Sequence, residues 1–124
     1  MIQVVRPGEG KRLKLRGRVA TELLDGEASG GALTVRIVEV EVEPAEGGKA
    51  RPLHVHEGVG EFIMLLSGSG TLHWEDRIVE VETGTAVFVF PGQWHKVVPR
   101  GDQPLRLLCV FPTSDIGSRT KERS

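Results

Sequence analysis

The chain has 124 residues, enough for one compact domain around a single hydrophobic core. Its 39% apolar and 27% charged residues are ordinary for a globular protein, and a formal net charge of −1 gives no electrostatic reason to expect nucleic acid or acidic lipid as a partner. One cysteine, Cys109, excludes an intramolecular disulfide and a cysteine-based metal site; within Leu107–Phe111 it reads as a small buried hydrophobe.

Sixteen glycines and seven prolines interrupt Val-rich runs at short intervals, and no segment sustains a helical period. That pattern predicts an all-β fold. The N-terminal stretch is basic, without an apolar run of signal-peptide length, and no window approaches the ~18 apolar residues of a membrane helix. No membrane association and a cytoplasmic location are therefore expected.

In chain order, residues 18–24 form a first strand closed by Asp25-Gly26, and 32–43 a long second one. There Val38, Val40 and Val42 alternate with glutamates, whereas Leu33, Val35 and Ile37 take the other parity. The slip implies a bulge near Ile37-Val38 or a strand covered on both faces. Residues 44–49 are a polar turn, and 52–56 a strand. Residues 61–66 are apolar on both parities, which asks for cover on both faces. Further strands are expected at 71–74, 77–81, 86–90, 95–98 and 104–112. The domain spans residues 1–112, and the polar tail 113–124 is expected to fray.

Three of the four histidines fall beside turn glycines. His54 and His56, two apart on a strand, project from one face. Glu61 opens the next strand beyond a loop with two glycines, and His95 follows the turn Pro91-Gly92-Gln93-Trp94. Barrel closure can bring these strand ends together as three imidazoles and one carboxylate. Such a set suits Mn, Fe, Co, Ni, Cu or Zn better than Mg or Ca.

These residues carry a family resemblance. Gly48, five residues, His54-x-His56, four residues, Glu61, six residues and Gly68 resemble the first motif of the cupins at each defining position. Gly84 through Gly92-Gln93-Trp94-His95 resembles the second, with Pro91 one place later than the family's proline. The fifteen residues between the motifs resemble compact single-domain bacterial members. The resemblance implies a double-stranded β-helix, or jelly-roll barrel. It also implies one divalent transition metal per chain (Fe, Mn, Ni, Zn, Co or Cu) on His54, His56, Glu61 and His95, and a homodimer.

Around this set, Ile63 and Leu65 share the parity of Glu61 and are expected to line a cavity. Arg36, Arg51 and Arg106 read as solvated rather than as inward anion binders, and His73 as a solvent-facing strand residue. Trp94 suits the mouth of a pocket or the core equally, and Glu57 reads as exposed in its loop. The functional expectation is a metal-dependent enzyme on a small molecule, dioxygenase ahead of isomerase or lyase. A sensing barrel whose metal anchors a ligand, and a barrel merely stapled by its metal, are the alternatives.

Overall fold

The computed structural model describes residues 1–43 and 50–123; the turn expected at 44–49, with Gly48, lies outside the described residues. Strands β1 (Lys11–Leu15), β2 (Arg18–Leu24), β3 (Thr34–Val40), β10 (Leu105–Phe111), β5 (Glu61–Ser67) and β8 (Ala86–Val89) form one six-stranded sheet in the order β1-β2-β3-β10-β5-β8. Opposite it lie β7 (Arg77–Glu82), β6 (Ser69–Trp74) and β9 (Lys96–Pro99), together with the pair β11 (Thr120–Glu122) and β4 (His54–His56). A bridge between His54 and His95 joins β4 to the chain entering β9. All pairings are antiparallel. The fold is the expected jelly roll, although its ladders do not close into one continuous barrel among the described residues.

Period-two alternation places the core between the layers. On β5 Ile63 and Leu65 point inward at 2% and 1% exposure, while Phe62 and Met64 lie half-buried on the outer face. On β10 Leu105, Leu107, Cys109 and Phe111 are buried and Arg106 faces out. Leu72, Val81 and Val97 close the core from the smaller sheet. Each such side chain contributes roughly 1.5–3 kcal/mol by leaving water. Gly70 permits the close β6–β9 contact, since a Cβ there would strike the Val98 carbonyl.

The two parities of β3 do not come from a bulge. Its register against β10 runs unbroken from Thr34 to Val40, with no bulge at Ile37-Val38. Val35 and Ile37 lie half-buried on the outer face, while Thr34, Val38 and Val40 are buried on the inner one. The irregularities lie elsewhere, between Glu22 and Leu24 and between Arg106 and Leu107.

Both chain ends hold structure beyond expectation. Strand β1 extends the sheet through β2, and its Leu13 and Leu15 pack on the core. The tail expected to fray instead forms a short 3-10 helix, Gly117–Arg119, and strand β11, which pairs with β4. Ile116, 3% exposed, anchors it in the core. Among the described residues no helix is long and apolar enough to cross a membrane.

Candidate metal centre

Strand β4 is only three residues long and is held from both sides. Strand β11 pairs with it along one edge, and along the other His54 and His95 exchange backbone hydrogen bonds of 2.9 Å each. The turn before His95 is docked by Gly92, whose N–H donates to the His56 carbonyl at 3.1 Å. Gly92 has φ +81°, a conformation costly for a residue with a Cβ. The loop from Glu57 is tied by its own N–H to the Arg119 carbonyl at 2.7 Å and delivers Glu61 as the first residue of β5.

His54, His56, Glu61 and His95 thereby converge, with one ligand atom from each lying within 4.8 Å of all the others. Glu61 Oε1 is 3.1 Å from both His56 Nε2 and His95 Nε2. His56, Glu61 and His95 are 6%, 4% and 1% exposed, and His54 is half-buried.

The hydrogen bonds behind the rings determine which nitrogens face the centre. His95 Nδ1 lies 2.8 Å from the Gln93 carbonyl, which can only accept, so Nδ1 carries the proton. His56 Nδ1 lies 2.9 Å from Thr120 Oγ1, and that hydroxyl gives its own hydrogen to the Ile116 carbonyl at 2.8 Å. Thr120 must therefore accept from Nδ1. Both rings, when neutral, turn an Nε2 lone pair toward Glu61 Oε1. His56 Nε2 is buried without a hydrogen-bond partner, and so is His54 Nδ1.

Acceptors facing one another in a buried space are held together by a cation. Bonds of about 2.0–2.1 Å put neighbouring ligand atoms about 3–3.4 Å apart, the spacing between Glu61 Oε1 and both His56 Nε2 and His95 Nε2. Charge agrees with the geometry. Burial first, then the neighbouring His95, keeps His54 well below the usual imidazole value, hence neutral and able to ligate. The residues present fit a divalent transition metal.

The centre forms part of a cavity of about 410 Å³ between the layers, with Val38, Ile63, Leu107 and Phe111 on its apolar wall. Ile63 lines it as expected; Leu65 is sealed in the core instead. The reading of Arg36 and Arg51 as solvated is corrected, because both line the cavity. Arg36 shares the inward parity of Val38 and Val40, and Arg51 is 7% exposed. Arg106 is exposed, as expected.

Arg18, Thr120, Glu122 and Cys109 also line the cavity and escaped the sequence reading. The inward parity of Cys109 with Leu107 was visible; the other three depend on pairings distant in the chain. Phe88 and Phe90 point outward at 54% and 70% exposure. Trp94 lies outside the cavity lining, with the Arg123 guanidinium 4.5 Å above its ring. Glu57 is exposed and pairs with Lys121 at 3.0 Å. His73, on β6, bonds Thr71 Oγ1 at 2.8 Å and takes no part in the cluster.

Fold and cluster together define a jelly-roll protein with three imidazoles and a carboxylate positioned to bind a metal. A family model for the cupin domain matches residues 38–111, and the chain belongs to the cupin family. The chain resembles the polyketide cyclase RemF from Streptomyces resistomycificus at 25% identity and a TM-score of 0.78, covering 100% of this chain and 87% of that one. It resembles a predicted oxalate decarboxylase from Thermotoga maritima at 27% identity and a TM-score of 0.70, covering 89% and 98%. In sequence it is 31% identical over 64 residues to an oxalate-binding protein of Thermotoga maritima. That match spans 52% of this chain and 53% of the relative, about half the length of each.

Proposed function

We propose that this cupin is a metal-dependent enzyme that makes or breaks a bond in a small molecule without net oxidation, as a cyclase, isomerase or lyase does. The observation that carries the reading is the convergence of histidine ring nitrogens on Glu61 Oε1, at 3.1 Å, in the wall of a cavity of about 410 Å³. A cavity of that size suits a small organic molecule. A divalent metal there supplies Lewis acidity to a substrate oxygen.

The chain's own residues supply the rest. His56 and His95 are held in the ligating tautomer by Thr120 and the Gln93 carbonyl. Val38, Ile63, Leu107 and Phe111 exclude water from the substrate's apolar part. Among the described residues Glu122 is the one lining carboxylate outside the centre, which makes it the candidate proton acceptor. The likeness to a cyclase and a predicted decarboxylase moves the weight from oxygenase to redox-neutral chemistry.

The first test is elemental analysis of protein purified without a metal-affinity tag, beside a His54→Ala, His56→Ala double variant. Near-stoichiometric metal in the parent and none in the variant is the expected result, and the same analysis identifies the metal. Turnover is then sought on a panel of carbonyl and carboxylate substrates, with oxygen uptake followed in parallel. Oxygen consumed in step with substrate would restore the dioxygenase reading. A parent that neither carries metal nor takes it up on reconstitution ends the proposal.

The likeness to an oxalate-binding protein favours a second reading, a non-catalytic barrel whose metal anchors its ligand. Saturable binding without turnover selects it.

A further inference from the structure

The cavity carries more positive charge than the metal centre accounts for. Four arginines, Arg16, Arg18, Arg36 and Arg51, line it against two carboxylates, Glu61 and Glu122. Glu61 belongs to the centre. Glu122 pairs with Arg16 at 3.5 Å, and Arg36 is neutralised by Glu22 at 2.9 Å. Among the described residues, no carboxylate lies within ion-pair distance of Arg18 or Arg51.

Arg51 is the more telling of the two. It is 7% exposed, its Nη2 donates to the Val97 carbonyl, and its Nε is buried with no acceptor. A guanidinium carries five N–H donors, so most of its hydrogen-bonding capacity is unspent among the described residues. Arg18 spends one bond, 3.0 Å to the Arg16 carbonyl. Burial, followed by the charge of Arg18, pulls the Arg51 guanidinium down to about 10 against the opposing charges of Glu43 and Glu122, and burial pulls Arg18 down against Glu122 and Glu61. Arg51, buried with an unpartnered Nε, and the half-buried Arg18 beside it form a cationic pair that an anion in the cavity would offset.

The remaining wall defines the rest of that anion. Val38, Ile63, Leu107 and Phe111 offer an apolar surface that a bare inorganic oxyanion would leave against water. The described residues hold no α-helix whose N-terminus would mark a phosphate site. A planar carboxylate matches the guanidinium fork.

We propose that the cavity takes an organic acid, its carboxylate on Arg18 and Arg51 and its apolar body against Ile63, Leu107 and Phe111. The assignment rests on the metal-enzyme reading in one respect: a metal held by His54, His56, Glu61 and His95 would offer a site for a second oxygen of the same molecule.

Calorimetric titration of the protein as purified tests it, with metal content measured on every sample. The probes are salicylate, phenylpyruvate, the uncharged amide of each, and inorganic phosphate. Both acids are expected to bind about tenfold or more tighter than their amides, as charge-assisted bonds to a guanidinium imply. Arg18→Met and Arg51→Met are expected to lose about that factor for the acids alone, with metal content unchanged. Arg106→Met, an exposed control, is expected to match the parent.

Because Arg51 also holds the Val97 carbonyl, Arg51→Lys is measured beside it. It keeps the charge but loses the planar fork, and intermediate binding is expected. Equal binding of acids and amides overturns the proposal, as does binding of neither acid, unchanged acid binding in both arginine variants, or phosphate binding as tightly as the acids. A metal-free parent that still prefers the acids through these arginines would sink the enzyme reading and leave the organic-acid site standing.

Discussion

Thr120 Oγ1 sits between the Ile116 carbonyl, to which it donates, and His56 Nδ1, from which it accepts. Removing the hydroxyl while keeping the shape frees His56 to take its other tautomer, with the proton on the nitrogen that faces Glu61. Thr120→Val is expected to weaken metal binding about 10- to 100-fold, the usual cost of losing a partner that orients a ligating histidine. Competition with a chromogenic chelator measures it, and unchanged affinity would refute the tautomer argument. The pH dependence has a definite sign. His54 stays neutral in the folded chain well below its ordinary value, because of burial and then His95. The unfolded chain protonates it near about 6.5. Below that pH the unfolded state binds more protons, so chelator-treated protein loses stability as pH falls. Urea midpoints at about pH 7.5 and about pH 5.5 check the sign, and His54→Gln should flatten the difference. At this scale the four clustered residues were legible because their spacing forms two motifs. The inward arginines were not. Arg36 lies in a run with apolar residues on both parities, so its direction depends on which face meets the second layer.

Strand β11 shows what an element can hide. Thr120-Lys121-Glu122 has no apolar residue and reads as tail, yet it pairs residue for residue with β4 and brings Thr120 and Glu122 to the cavity. Its anchor is Ile116, 3% exposed. Ile116→Ala is expected to destabilise the fold by roughly 2–4 kcal/mol, a buried large-to-small cost. Ile2→Ala, at a position 88% exposed, should fall within about 0.5 kcal/mol of the parent. Urea denaturation compares them; equal small effects would mean that the C-terminal segment is not docked. Strand β1 was hidden differently. Lys11-Arg12-Leu13-Lys14-Leu15 alternates over one leucine pair only, and its pairing with β2 completes the signal. The central strands were legible because each carries its own apolar face. The edge pieces take their order from a neighbour, information that a local pattern does not contain.

Across the whole molecule, the outer face of the large sheet has no cover among the described residues. Its registers align Val35, Val110, Phe62 and Phe88 in one cross-strand row, and Ile37, Leu108, Met64 and Ala86 in the next. From β3 to β8 neither row contains a charge; the second meets Arg12 only at the far edge strand β1. Phe88 is 54% exposed at the sheet edge, and nearby Phe90 is 70% exposed. Contiguous apolar surface of this kind marks an interface, and a face used by both copies of one chain is self-complementary about a two-fold axis. We therefore propose a homodimer through this face. A standard interface needs about 800 Å² per partner, roughly a tenth of this chain's 7668 Å² surface. Light scattering at micromolar concentration is expected to give twice the 13.5 kDa chain mass. A one-chain mass for the parent would refute the dimer. Met64→Glu and Phe88→Glu each place a charge in the contact twice over by symmetry, and either is expected to yield monomer. Strand β5 links this surface to the centre, presenting Phe62 and Met64 outward and Glu61 and Ile63 inward. Because alternation separates the two faces, the monomeric variants should keep the parent's metal content. Loss of metal together with the dimer would instead mean that the interface holds β5, and Glu61 with it, in place.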